Sequence, residues 1–306
     1  EAFRPLVDRG RAHMTNLFCF GLGFSALTLA HDLIAEGWTV AGTCRTPGKR
    51  AKLRAGGIDA HVFDGTAPLD AAGTDALARA DHLLISVPPG AGGDPVLTAA
   101  GDAIGHAAAH IRWAGYLSTT GVYGDTGGAE VTEDSPLAPT APRGAYRTAA
   151  EAAWLDLGRT SGLPVHVFRL AGIYGPGRSV LDQLRQGTAR RIDKPGHRFS
   201  RIHVADIGAV LRASMARPVP GVIYNVCDDE PAPQADVIAH GARLLGLPAP
   251  DLVPFDVAAA TMSEMALSFW RDNRVVSNGR IKDTLGAVLS YPTYREGLAA
   301  ILAAEG

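Results

Sequence analysis

An excess of basic charge is the first thing this sequence lacks: its 306 residues carry 29 Lys and Arg against 31 Asp and Glu, a formal net charge of −2. Without that excess there is no electrostatic footprint for the phosphates of a duplex, so a nucleic-acid partner is excluded. Cysteine is scarce too. Cys19, Cys44 and Cys227 lie far apart, each in an apolar, strand-like run. Three scattered thiols make neither a disulfide framework nor a zinc site, so no metal is expected, and they read as small buried hydrophobes of a cytoplasmic protein. No apolar run reaches the roughly 20 residues of a membrane span, so no membrane partner is expected either. Leu17–Ala30, preceded by Arg9 and Arg11, imitates a signal peptide. Gly21 and Gly23 interrupt that run early, and no convincing small-residue cleavage site follows. Fixed-period repeats and low-complexity blocks are missing as well.

What is present is enough apolar matter for a sizeable core: 46% hydrophobic residues against 20% charged. The length suits one large domain or two modest ones. Residues 1–13 match nothing downstream and read as an N-terminal extension ahead of a start at Met14. Apolar runs at Asn16–Phe20, Thr39–Cys44, His61–Phe63, His82–Val87, around Tyr116–Leu117, and at Val165–Leu170 read as strands. Helical patterns alternate with them: Leu27 to Ile34, Lys49–Ala55, Pro95–His110 and Tyr146–Arg159. Such alternation predicts an α/β fold, a doubly wound parallel sheet of the Rossmann type with helices on both faces. A helix over Ala205–Ala216 and a strand over Val222–Val226 resume that style. The dinucleotide-binding domain is therefore expected over residues 14–174 plus 203–227. A smaller, mainly helical C-terminal substrate domain takes 175–202 plus 228–306.

The turn Gly21-Leu22-Gly23-Phe24-Ser25-Ala26 follows the first strand and opens the first helix. The first glycine allows a tight turn, the second admits a pyrophosphate, and Ala26 permits close helix–strand packing. An NAD site has a carboxylate about 20 residues on, where it bonds the ribose hydroxyls. Here the second strand ends in Arg45 instead. A guanidinium suits a 2′-phosphate, so NADP is expected over NAD. Asp64, at the end of the third strand, is placed to accept from the adenine amino group.

Four further blocks carry a resemblance: Ser118-Thr119-Thr120-Gly121-Val122-Tyr123-Gly124, the run from Arg169 to Gly177, the run from Arg201 to Asp206, and Tyr224-Asn225-Val226. Through them the chain, from Asn16 to about Leu298, resembles the extended short-chain dehydrogenase/reductases, the NAD(P)-dependent epimerase/dehydratase group, and its atypical branch most. The resemblance extends the cofactor set to Gly65, Val87, Pro88, Leu170, Ala171 and Ile173. It makes Thr119 the residue that bonds the reacting oxygen and Tyr146 the acid/base tyrosine. It also exposes a departure, since the lysine of the family's YxxxK motif is Ala150 here. A tyrosine near its reference pKa is only about 0.1% ionised at pH 7, a poor base but still a proton donor. Arg147, adjacent to Tyr146, does not share its helix face and makes a doubtful substitute.

The activity implied is that of an NADP(H)-dependent oxidoreductase or epimerase acting on a small polar carbonyl or hydroxyl compound, such as a nucleotide sugar. Cations gather from Arg178 to Arg201, and Arg178, Arg201 and His203 are the expected substrate contacts. His106 and His110 read as surface residues. The alternative is a non-catalytic NADP(H)-binding regulator, favoured by Ala150; on that reading Ala150→Lys creates activity. The resemblance also implies a homodimer through the two alanine-rich helices, Pro95–His110 and Tyr146–Arg159.

Overall fold

Strand β1 (Asn16–Phe20) sends its side chains alternately to two hydrophobic clusters. Leu17 and Cys19 join one, Phe18 and Phe20 the other, and all four are buried. A strand apolar on both faces is stable only inside a sheet covered on both sides. The structure, a computed structural model describing residues 15–305, builds that sheet; the expected extension over residues 1–13 lies outside the described residues. The remaining strands are β2 (Thr39–Cys44), β3 (Asp59–Val62), β4 (His82–Ile85), β5 (Trp113–Thr119), β6 (Val165–Leu170) and β7 (Ile223–Val226). They lie in the order β7-β6-β5-β4-β1-β2-β3, every pair parallel.

One face is covered by the helices Phe24–Ala35 and Val204–Ala216, through Leu29, Leu33, Ile207 and Leu211. The other is covered by Ala71–Ala78, Pro95–Ala107 and Pro142–Ser161, through Leu77, Ile104 and Trp154. Each such large side chain contributes about 1.5–3 kcal/mol by leaving water. This is the expected doubly wound α/β architecture.

Local differences have local causes. Ala71–Ala78, unforeseen from sequence, is short and contains Gly73; Asp70 caps it by accepting from Gly73 N at 2.7 Å. The helix carrying Tyr146 starts one turn earlier than expected, at Pro142, whose missing N–H suits a first turn. It stops at Gly162, which takes φ 76°. β4 ends at Ile85, two residues short of Val87.

Outside that sheet the chain makes short parallel ladders: Gly172–Tyr174 with Arg201–His203, Arg191–Asp193 with Leu252–Pro254, and Glu130–Val131 with Val275–Val276. Between them run the helices Val180–Arg185, Gln234–Leu244, Phe255–Ala259, Glu264–Arg271, Gly279–Leu285 and Tyr294–Ala303. Among the described residues no helix is long and apolar enough to cross a membrane. The three cysteines are buried and unpaired.

Candidate functional site

The strand order reverses between β1 and β4, and in an open parallel sheet such a reversal opens a crevice at the carboxyl ends of the strands. The glycine turn sits there. Gly21 adopts φ 87°, and a Cβ on it would lie 2.9 Å from Val87 Cγ2. Its N–H donates to Thr43 Oγ1 at 2.9 Å, so the ends of β1, β2 and β4 meet at one residue. Gly23 caps the Phe24–Ala35 helix without a side-chain bond, and the space beside it is open. Phe24 is half-buried, while Ser25 and Ala26 pack inward. Free N–H groups at a helix start, faced by open space, form an anion receptor.

Around this turn, Arg45 is exposed at the end of β2. A second cation, passed over in the sequence, joins it: Lys49 Nζ donates to the Leu22 carbonyl at 2.6 Å. Asp64 is exposed and accepts from Thr66 N at 2.9 Å and Thr66 Oγ1 at 2.7 Å. Those bonds hold its carboxyl below the usual range. Gly65, at φ 83°, presses on Pro95, and Pro88 is exposed beyond half-buried Val87. Leu170 ends β6, Ala171 N donates to the Val226 carbonyl at 3.1 Å, and Ile173 is half-buried.

The second cluster forms where β5 ends. Thr119 is its last residue, half-buried, and its Oγ1 accepts from Gly121 N at 3.1 Å. Gly144, in the first turn of the Pro142–Ser161 helix, lies so close that a Cβ there would sit 3.0 Å from the Gly121 carbonyl oxygen. This contact seats the start of the helix of Tyr146 against the Thr119 turn. Tyr146 is half-buried and its hydroxyl bonds to no described residue. Ala150, four residues on, is 3% exposed and belongs to the sheet-facing core.

Arg147, next in sequence to Tyr146, reaches β5 instead: its Nη1 donates to the Leu117 carbonyl, two residues before Thr119. It also bonds the Tyr116 hydroxyl at 3.4 Å, with its guanidinium 5.6 Å from that ring's centroid. Its helix face is shared with Glu151, not with Tyr146. Among the described residues no carboxylate pairs with it.

Beneath both clusters lies a buried polar network. Arg169 grips Glu151, Ser118 Oγ donates to the same carboxylate, and Arg169 Nη1 donates to Tyr123 Oη at 2.8 Å. Tyr123 donates to Asn225 Oδ1 at 2.6 Å, and Asn225 N donates to Glu133 Oε1 at 2.8 Å. Three of the four sequence blocks thus meet here; Glu151, outside them all, had no local signal.

The expected substrate cations do not converge. Arg178 is exposed, its guanidinium 5.5 Å from the Phe24 ring, beside the helix that opens at Gly23. Arg201 donates to the Phe199 and Ala232 carbonyls at 2.8 and 3.0 Å and lines a small cavity with Tyr174 and Tyr294. His203 is buried: its Nδ1 accepts from Ala205 N, and its ring packs on Tyr174 and Tyr291. Burial pushes its pKa down to about 4. No hydrogen bond or ring contact joins Arg201 or His203 to the Thr119 turn. Arg185 pairs with Glu305, and Arg190, Arg191 and Lys194 bond carbonyls elsewhere.

One residue the sequence did not single out stands at the site. Arg274 Nη2 lies 4.0 Å from where a Gly121 Cβ would be, and Thr119 Oγ1 lies 3.4 Å from the same point. Among the described residues no group of three or more His, Cys, Asp or Glu is placed to hold a metal ion.

Residues 96–227 match the model of the NAD dependent epimerase/dehydratase family. The chain is 32% identical over 285 residues to Protein YeeZ of Escherichia coli K12, covering 91% of this chain and 97% of that protein. A functionally unknown conserved protein from Silicibacter pomeroyi DSS superposes with a TM-score of 0.85 at 51% identity, over 95% of this chain and 99% of the other. The UDP-glucuronic acid 4-epimerase of Bacillus cereus, solved with NAD, has a TM-score of 0.73 at 17% identity, over 94% and 97%, a likeness of fold.

Proposed function

Since the chain belongs to the NAD dependent epimerase/dehydratase family, we propose that it is an NADP(H)-dependent oxidoreductase or epimerase of a small polar carbonyl or hydroxyl compound. The observation that carries this reading is the pairing of two features at one sheet edge: an uncapped helix start behind Gly21 and Gly23, and a Thr119 turn pressed against the helix of Tyr146.

The residues present fit a dinucleotide. A side chain at Gly21 would strike Val87, and one at Gly23 would fill the open space a pyrophosphate needs. The N–H groups of Phe24, Ser25 and Ala26 would hold the pyrophosphate, and Arg45 with Lys49 the 2′-phosphate. Asp64 and Gly65 would flank the adenosine, with Val87, Pro88, Leu170, Ala171 and Ile173 along the cleft. Bound there, the nicotinamide supplies or accepts a hydride.

The chain's own groups do the rest. Thr119 spends its acceptor on Gly121 N, so its hydroxyl proton is free to orient a substrate oxygen. Tyr146 gives that oxygen a proton as the hydride arrives. With Ala150 in the core and no ammonium beside it, the phenol works better as donor than as base, which favours carbonyl reduction. The substrate side is formed from residues 175–202 and 228–306, and two copies pair through the Pro95–Ala107 and Pro142–Ser161 helices. The second reading, cofactor binding without turnover, rests on the same buried Ala150.

Calorimetric titration with NADPH and NADH tests the cofactor: tighter NADPH binding, lost selectively in Arg45→Asp, is expected. Equal loss of both cofactors removes the phosphate assignment, and binding of neither removes the function. Tyr146→Phe then separates the two readings, since it abolishes turnover and spares cofactor affinity only in an enzyme.

A further inference from the structure

We infer that Arg274 is a substrate-binding residue, and that it receives an anionic oxygen group, a carboxylate, beside the reacting oxygen that Thr119 orients. This deepens the reading above, on which it rests for the Thr119 turn being the substrate site.

The argument begins with how Arg274 is held. Its neighbour Asn273 fastens the segment: Asn273 N donates to Asp125 Oδ1 at 2.8 Å, and its carbonyl accepts from Thr126 N and Gly128 N. Its side chain bonds the Gly196 carbonyl and Arg198 N. Val275 and Val276 then pair with Glu130 and Val131. The segment is latched without Arg274, so a further structural bond there adds little.

Arg274 reaches inward nonetheless. Its side chain is only 18% exposed, with Nη1 donating to the Gly124 carbonyl at 2.8 Å and to Asp272 Oδ2 at 3.1 Å. Nη2 donates to no described residue and faces the gap above Gly121. Glycine keeps that gap clear, since a Cβ would stand in van der Waals contact with both Nη2 and Thr119 Oγ1. Two donors thus flank one small empty space, both fixed before any ligand arrives.

Charge decides what the space takes. Asp272 bonds Nη1 of Arg274 and leaves Nη2 to a ligand. With the Thr119 proton on the reacting oxygen, the unbonded Nη2 of Arg274 meets a second oxygen group, and a planar guanidinium edge matches a carboxylate.

The test uses 2-oxo acids, from pyruvate to phenylpyruvate, each beside its methyl ester. Binding to wild type, Arg274→Lys and Arg274→Met is measured by calorimetry with and without NADPH, and the melting temperature of each variant is recorded. The expected result is that acids bind and esters bind about tenfold or more weaker. Arg274→Met loses that preference, Arg274→Lys retains most of it, and NADPH affinity is the same in all three. Esters binding as well as acids, no acid binding at all, or a preference that survives Arg274→Met would overturn the inference. If NADPH fails to bind while the acid preference still depends on Arg274, the cofactor reading falls and this one stands.

Discussion

Arg169 holds Glu151 in a forked bond, Nη2 to Oε2 at 2.8 Å and Nε 3.2 Å from each carboxylate oxygen, with both side chains almost wholly buried. The pair ties the end of β6 to the helix of Tyr146, and through Ser118 and Tyr123 to the turn of Thr119. Removing one partner leaves the other charge buried and unpaired. Arg169→Met or Glu151→Leu should therefore destabilise the fold by about 3–5 kcal/mol, measured by urea denaturation. The double variant Arg169→Met/Glu151→Leu should recover a large part of that loss; a double loss equal to the sum of the single ones would show the two residues act separately.

Gly21 cannot be replaced cheaply. Gly21→Ala places a Cβ at φ 87°, which costs about 1–2 kcal/mol, and sets it 2.9 Å from Val87 Cγ2. The expected outcome is a lower melting temperature together with at least tenfold weaker NADPH binding. Gly23→Ala meets no protein atom. It should keep its melting temperature and lose only cofactor affinity, a contrast that calorimetry and thermal melts resolve.

Restoring a lysine at position 150 should not create activity. Ala150 is 3% exposed among apolar side chains, so Ala150→Lys forces an ammonium into the core and should cost several kcal/mol. Arg147 already holds β5 at the Leu117 carbonyl, and Arg147→Met should lower the melting temperature with Arg147→Lys doing so much less, as loss of one charge-assisted bond implies. A gain of turnover in Ala150→Lys at unchanged stability would reverse this assignment.

Asp228 sets a pH dependence. Burial pushes its carboxyl up to about 8 despite nearby Arg201. Its folded pKa lies above the unfolded value of about 4, so its contribution is fully present at low pH and is lost as pH rises through 8. The buried rings of His82, His166, His197 and His203, pushed down to about 4, act oppositely. Stability they lack in acid returns as pH rises to their ordinary value of 6.5. Between 6.5 and 8 Asp228 acts without them, and stability should fall by at most about 1.4 kcal/mol per pH unit. Asp228→Asn should flatten that stretch of the profile, read by denaturation at each pH.

Local pattern decided the fold. β1 and β2 were legible to the residue, because an apolar run ended by Gly21 or by Arg45 is a signal contained in a few neighbours. The glycine turn was legible for the same reason: Gly21 and Gly23 impose their geometry by what they lack. The run of cations from Arg178 to Arg201 read as a patch, but tertiary structure spread it among carbonyls, an acidic partner and the Phe24 ring. Sequence spacing carries no direction once the helical or strand period is broken, and that stretch is turns, one six-residue helix and three-residue strands.

The amino-acid sequence by itself determined the alternating parallel architecture, the cofactor turn and the neighbourhood of Thr119, since each rests on residues close along the chain. Only the tertiary structure decided that Arg147 reaches the Leu117 carbonyl, that Glu151 belongs to Arg169, and that Arg274 arrives over Gly121 from 153 residues away in sequence. Those pairings join distant segments, and which guanidinium meets which oxygen is fixed by how the helices and the latched 272–276 segment pack on the sheet.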